Sequence, residues 1–290
     1  MNRFADVVTE RSVLAAVMAL WRRERVMVML GASGLLLAAV CAIVAVVNGS
    51  WMIAPEGRLL EAAKFDVALG IYLLTLALML PLAGFSPRGR RRWIGWTVGL
   101  TVFAFAMENV QAWRGLDPRF SRVAAPLDQA LGGVFFLSAL GIAALFLVLF
   151  ARFFRRETLS DHPALALALR YAAVAALMAF AVGVGMSVAQ GRHVNGLGNL
   201  MPLHASGFHG LQALPLVALL LGWSRLPTSE AIRWVHIAGI GWLAVCLGLL
   251  IQAVAGFDPL SLTVPTVVAV LGVLLWAATL LHAWRASAAA

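Results

Sequence analysis

Two short segments hold most of the side chains in this chain that are able to do chemistry. One reads Glu108-Asn109-Val110-Gln111-Ala112-Trp113-Arg114, and the other runs from His204 through His209 to Gln212. Carboxylates and imidazoles take up and release protons, and they also ligate zinc, copper and non-haem iron. Glu108 and Gln111 share a helix face, as do His209 and Gln212. His204 and His209 diverge by about 140° on an ideal helix. Pro202 and Gly207 allow an irregular start that would bring the two imidazoles together. The spacing is not that of His-Glu-x-x-His. Three readings stay open. One is a transition-metal site with His204, His209 and Glu108 as ligands. Another is a ligand-binding or proton-handling site, in which Glu108 accepts a proton, Arg114 pairs with an anion, Gln111 and Gln212 orient the others, and Asp66 joins them. The last is a structural role, with Glu108 and Arg114 paired to neighbours and the histidines closing a helix start.

The setting of these residues is apolar. The chain is 62% hydrophobic and 12% charged, about half the charge of an average soluble domain. Its apolar runs reach the roughly 20 residues that a helix needs to cross a bilayer. A backbone in lipid must satisfy its own hydrogen bonds, so such runs are helices. The sequence therefore predicts an all-α integral membrane protein with about eight spans, near 26–48, 65–85, 93–113, 131–152, 168–189, 204–223, 235–254 and 264–283. The net charge of +9 does not signal nucleic acid, because the arginines sit in short loops between apolar runs. Residues Thr9 to Arg25 read as an amphipathic surface helix, with Val13, Leu14, Val17, Leu20 and Trp21 on its apolar stripe. Cys41 and Cys246 lie inside apolar runs and read as small core residues.

Arginine sets the expected orientation. The N-terminal arm, the Arg88–Arg92 run, Arg152, Arg155, Arg156, Arg170, Arg225, Arg233 and Arg285 share one side. The other side holds Arg58, Lys64, Arg114, Arg119, Arg122 and Arg192. The richer side is expected in the cytoplasm, with both termini. The other side then faces the periplasm of a bacterial inner membrane.

Residues 93–118 and 234–259 align without a gap. Trp93 meets Trp234, Gln111 meets Gln252, Gly115 meets Gly256, Asp117 meets Asp258 and Pro118 meets Pro259. Apolar matches come cheaply in membrane helices, but Gln, Gly, Asp and Pro in register do not. A nearby offset lays 64–85 over 202–223 and puts Asp66 on His204. The chain thus divides into an arm (1–25) and two parallel four-helix repeats (26–157 and 158–290), expected about a pseudo-two-fold axis along the membrane normal.

The polar groups all fall towards the outer ends of their spans. Ionisable side chains inside a bilayer cost roughly 2.5–3.5 kcal/mol or more and tend to mark function. The site is therefore expected near the outer face, for a small molecule, a lipid or a metal. Small-molecule transport, a metal-dependent or redox enzyme acting on a lipid or quinone, and an accessory subunit without chemistry all stay open; the oligomeric state is not legible. The stretch His204-Ala-Ser-Gly-Phe-His209-Gly-Leu-Gln212-Ala-Leu-Pro215 resembles a motif of uncharacterised bacterial integral membrane proteins, and Glu108 to Gly115 looks like their other polar segment. The resemblance implies a bacterial inner-membrane location and brings no activity.

Overall fold

The computed structural model describes residues 13–155 and 159–290. It is all-α apart from two short hairpins. Two compact units divide the chain, the first ending at Leu149 and the second running from Phe150 to Ala290.

The first unit begins with α1 (Val13–Val47), followed by a hairpin of β1 (Met52–Ile53) and β2 (Gly57–Arg58). Helix α2 (Leu59–Met79) follows and closes in a 3-10 turn over Leu80–Ala83, where Pro81 removes a backbone donor. Helix α3 (Pro87–Trp113) and helix α4 (Pro126–Phe150) complete the unit. The hairpin, the start of α2 and the end of α3 lie together at one end, called here the hairpin end. The start of α3, with Arg88, Arg90, Arg91 and Arg92, marks the opposite, arginine end. Ser86 caps α3 by accepting the Gly89 N–H at 3.2 Å, with Pro87 in the first turn. Helices α1 and α2 approach closely because Gly31, Gly34 and Gly70 face one another. A Cβ on Gly70 would lie 2.7 Å from the Gly31 carbonyl oxygen.

The second unit opens with a 3-10 turn (Ala151–Phe154) and α5 (Pro163–Val188). A hairpin of β3 (His193–Val194) and β4 (Gly198–Asn199) leads to α6 (Met201–Gly222), α7 (Thr228–Val254) and α8 (Val264–Ala288). Pro215 stands inside α6 without ending it.

Among the described residues, seven helices are long and apolar enough to cross a membrane. The exception is α3, which contains the expected 93–113 span. It carries arginines at one end and Glu108, Asn109 and Gln111 at the other, and it buries Thr97 and Thr101 as well. Thr97 and Thr101 return their hydroxyls to the carbonyls of Trp93 and Thr97, at 2.9 and 2.6 Å. Part of the expected surface arm, up to residue 12, lies outside the described residues, as do Arg3, Arg11 and Arg156. From Val13 onward the arm is helical, and a break at Glu24 (φ −124°, ψ 33°) separates it from the apolar run.

Both units connect their elements in the same way, 141 residues apart. Gly57 pairs with Ile53, and Gly198 with Val194. The Leu59 N–H reaches the Trp51 carbonyl, and the Leu200 N–H that of Arg192, both at 2.9 Å. Leu116 N–H donates to the Gln111 carbonyl, and Phe257 N–H to that of Gln252. Gly115 and Gly256 have φ of 80° and 76°. At both, a Cβ would strike the hairpin carbonyl facing it, Ala54 in one unit and Asn195 in the other. Only glycine suits a left-handed turn with a backbone pressed against it. The hydrogen bonds carry this register through the hairpin into α2 and α6. Counted 141 residues on from these hydrogen bonds, Asp66 falls at Gly207, whereas the offset read from the sequence puts it at His204.

Candidate functional site

The first unit buries an acidic cluster at its hairpin end. Asp66, in the second turn of α2, is fully buried, and Glu108 and Asn109 on α3 are 1% and 2% exposed. Asn109 links the helices. Its Nδ2 donates to Asp66 Oδ1 at 2.9 Å and to the Phe105 carbonyl at 3.0 Å. Its Oδ1 accepts from the Cys41 thiol on α1 at 3.2 Å. The second Asp66 oxygen, Oδ2, is buried and has no hydrogen-bond partner. A carboxylate in that state carries a desolvation cost of several kcal/mol unless it holds a proton or a cation.

Glu108 pairs with Arg119, whose Nη2 donates to Oε2. Arg119 comes from the loop after α3 and reaches back between two aromatic rings. Its guanidinium carbon lies 5.2 Å from the Phe65 centroid and 5.7 Å from that of Phe135, within cation–π range. The loop is shaped for this. Asp117 Oδ1 accepts the N–H of Arg119 and of Phe120 at 2.8 and 3.0 Å. Further on, Ser121 donates to Glu56 Oε2 at 2.5 Å and the Arg122 N–H donates to Oε1 at 3.0 Å. The Ser121 hydroxyl, and then the Arg122 N–H, hold the Glu56 carboxyl below the usual glutamate range. Glu56 thereby clamps the Arg119 loop to the β1–β2 turn.

Gln111 and Arg114 form a separate group. Arg114 makes a two-pronged bond to Asp128 on α4, at 2.6 and 3.1 Å, and a third to Gln111 Oε1 at 2.9 Å. Gln111 Nε2 donates to the same Asp128 at 2.9 Å. In the second unit Gln252 plays the corresponding part. It donates to the Asp258 carbonyl and Ser261 at 2.7 and 2.9 Å and accepts from Thr263. Both glutamines tie the end of one helix to the beginning of the next.

In the second unit, α6 is continuous from Met201, so His204 and His209 take different surroundings. His204 is half-buried; its Nδ1 donates to the Ala179 carbonyl at 2.8 Å, and its ring meets Phe208 edge-on at 5.0 Å. His209 is exposed, and Gln212, one turn further, is half-buried. Among the described residues, no three His, Cys, Asp or Glu side chains stand close enough to hold a metal ion.

Of the residues expected to form a site, the structure thus groups Asp66 with Glu108 through its neighbour Asn109, and Gln111 with Arg114. Three further participants escaped the sequence reading: Arg119, Asp128 and Cys41. Asp128 carried a legible signal, as an acid in the first turn of an otherwise apolar helix. Arg119 carried none, because a loop arginine and a buried counter-ion look alike until the loop folds back.

An open groove of about 280 Å³ runs beside α1 and α3, lined by Ser33, Leu37, Phe105, Asn109 and Trp113 among others. It is apolar except at Ser33 and Asn109, and Asn109 joins it to the acidic cluster. Comparison with protein-family models, with curated proteins and with solved structures yields no match for this chain.

Proposed function

We propose that this is a bacterial inner-membrane protein of eight spans, built from two parallel copies of one four-helix unit, whose first copy binds a small cationic ligand at the outer face. The acidic cluster is the site. What carries this reading is the fully buried Asp66, with one oxygen lacking a partner, beside a Glu108 already matched to Arg119. A protonated amine, or a proton, supplies the missing partner. Arg119 is a displaceable counter-charge: a ligand that enters between Glu108 and Asp66 swings the loop arginine outwards.

The recurrence of connections 141 residues apart supports the duplication, and it also sorts the polar residues. Gln111, Gly115, Asp117 and Pro118 recur as Gln252, Gly256, Asp258 and Pro259, so they belong to the scaffold. Asp66, Glu108, Asn109 and Arg119 correspond to Gly207, Leu249, Leu250 and Leu260. The first unit alone keeps the charges, at a place where an apolar residue also folds. Retaining buried charge against its desolvation cost favours a functional role. Arginine in the loops at the arginine end supports a cytoplasmic placement of that end and of both termini. Polar α3 crosses as the remaining span, its acids shielded by α1, α2 and the Arg119 loop.

The groove favours a second reading of the same site, in which the ligand is membrane-soluble, such as a quinol or a lipid, and reaches Asn109 from the side. A titration of detergent-purified protein with hydrophilic amines and with short-chain quinols, followed by thermal shift, separates the two. Asp66→Asn should abolish amine binding, and Arg119→Gln should tighten it by removing the competing cation. Unchanged amine affinity in both variants would sink the proposal. Stabilisation by quinols alone would move the site to the second reading.

A further inference from the structure

The arginine end of the first unit has a cavity of its own, of about 320 Å³. Arg23, Glu24, Pro81, Gly84, Phe85 and Arg90 contribute to its lining. It forms where two helices are interrupted together: α1 breaks at Glu24, and α2 ends in the Pro81 turn, with Gly84 at φ 60°. Glu24 is only 2% exposed. Its Oε2 accepts from Arg90 Nη2 at 2.5 Å, and the same nitrogen reaches the Arg23 carbonyl at 3.3 Å. Glu24 Oε1 is buried without a partner. Glu24 thus lines the cavity with a carboxylate whose Oε1 lacks a donor and is closed off from water, and Arg23 and Arg90 line the same cavity with charges that favour an anion. Arg88, Arg91 and Arg92 stand exposed at the start of α3.

We propose that this cavity binds the headgroup of a phospholipid carrying a primary ammonium, a phosphatidylethanolamine. A turn of the Glu24 carboxyl into the cavity lets the ammonium donate to Oε1, and the phosphate lies against Arg23 and Arg90, where arginine offers paired donors in a fork. One headgroup of alternating sign satisfies both demands. A wholly anionic headgroup answers the arginines alone, and a trimethylated ammonium has no N–H to give the carboxylate. At about 30 Å³ per water in the liquid, the volume admits phosphoethanolamine. The depth suits a lipid as well, because the cavity sits where the apolar run of α1 begins. This site is independent of the acidic cluster at the hairpin end.

The test is thermal-shift or native-mass titration of the full chain in detergent with matched short-chain lipids. Phosphatidylethanolamine should bind at least about tenfold more tightly than phosphatidylcholine or phosphatidylglycerol, the weight of one charge-assisted hydrogen bond. Glu24→Gln should erase that preference while leaving phosphatidylglycerol binding in place. Equal affinity for the three lipids in the unaltered protein would overturn the proposal, without recourse to any variant. Equal stabilisation by water-soluble O-phosphoethanolamine would overturn the assignment to a lipid.

Discussion

Two arginines five residues apart, Arg114 and Arg119, show how burial decides what an ion pair is worth. Arg114 meets Asp128 with half of its side chain exposed, whereas Arg119 meets a Glu108 that is 1% exposed. Exposed pairs contribute about 0–1 kcal/mol. Removing one partner of a buried pair costs about 3–5 kcal/mol, and the partial exposure of Arg119 places it towards the lower end. Arg119→Ala should therefore lower the melting temperature in detergent well beyond Arg114→Ala. Similar losses in the two variants would show that Glu108 is neutral or otherwise satisfied. Asn109→Leu reproduces the residue found at Leu250 and deprives Asp66 of its donor. It should cost about 1–3 kcal/mol, and Asp66→Leu in the same background should recover part of the loss. Chemical denaturation of the single and double variants measures this, and a double variant weaker than the single would contradict it.

At the scale of elements, the hairpin is the part that locks each unit. Gly115→Ala and Gly256→Ala each force a Cβ into a left-handed turn and onto a hairpin carbonyl. The conformation alone costs about 1–3 kcal/mol, so both variants should show a lowered unfolding temperature. Gly99, which has open space around it, serves as the control: Gly99→Ala should be neutral or slightly stabilising. The Glu56 clamp predicts a pH response. Its folded carboxyl titrates below its unfolded value, so its contribution is complete above the ordinary glutamate range, near pH 4.3. That contribution disappears as the pH falls through the lower, folded value. Hydrogen exchange of the Ser121–Arg122 amides should therefore accelerate only in strongly acidic buffer. In Glu56→Gln the same amides should exchange at a rate without that acid step; a step that persists would assign it to another group.

On the scale of the whole molecule, the proposed orientation is open to direct measurement. With Cys41 and Cys246 replaced by Ala, a cysteine placed at Ser121 should react with a membrane-impermeant maleimide added outside spheroplasts. A cysteine placed at Arg91 should react only after the membrane is permeabilised. The reverse pattern would invert the protein and move the acidic cluster to the cytoplasm. Reaction of both from outside would mean that α3 does not cross.

The membrane character and the helical class were legible in composition and run length, because the lack of water in a bilayer leaves an apolar run no alternative to a helix. The shared polar residues of 93–118 and 234–259 were legible as well, since Gln, Gly, Asp and Pro in register encode a turn that local backbone geometry demands. The sequence also singled out Glu108 and Asp66 as polar groups in apolar runs. It did not reveal their partners. Asn109 joins Asp66 across 43 positions, and Arg119 reaches Glu108 only when its loop folds inwards. Neither did it separate His204 from His209, because a proline and a glycine near a helix start permit either a break or a continuous turn. Packing chose the continuous helix. Spacing along a chain reports which residues share a helix face; which face meets which is settled by close approach between helices, and that approach rests on glycines and carbonyls distant in sequence.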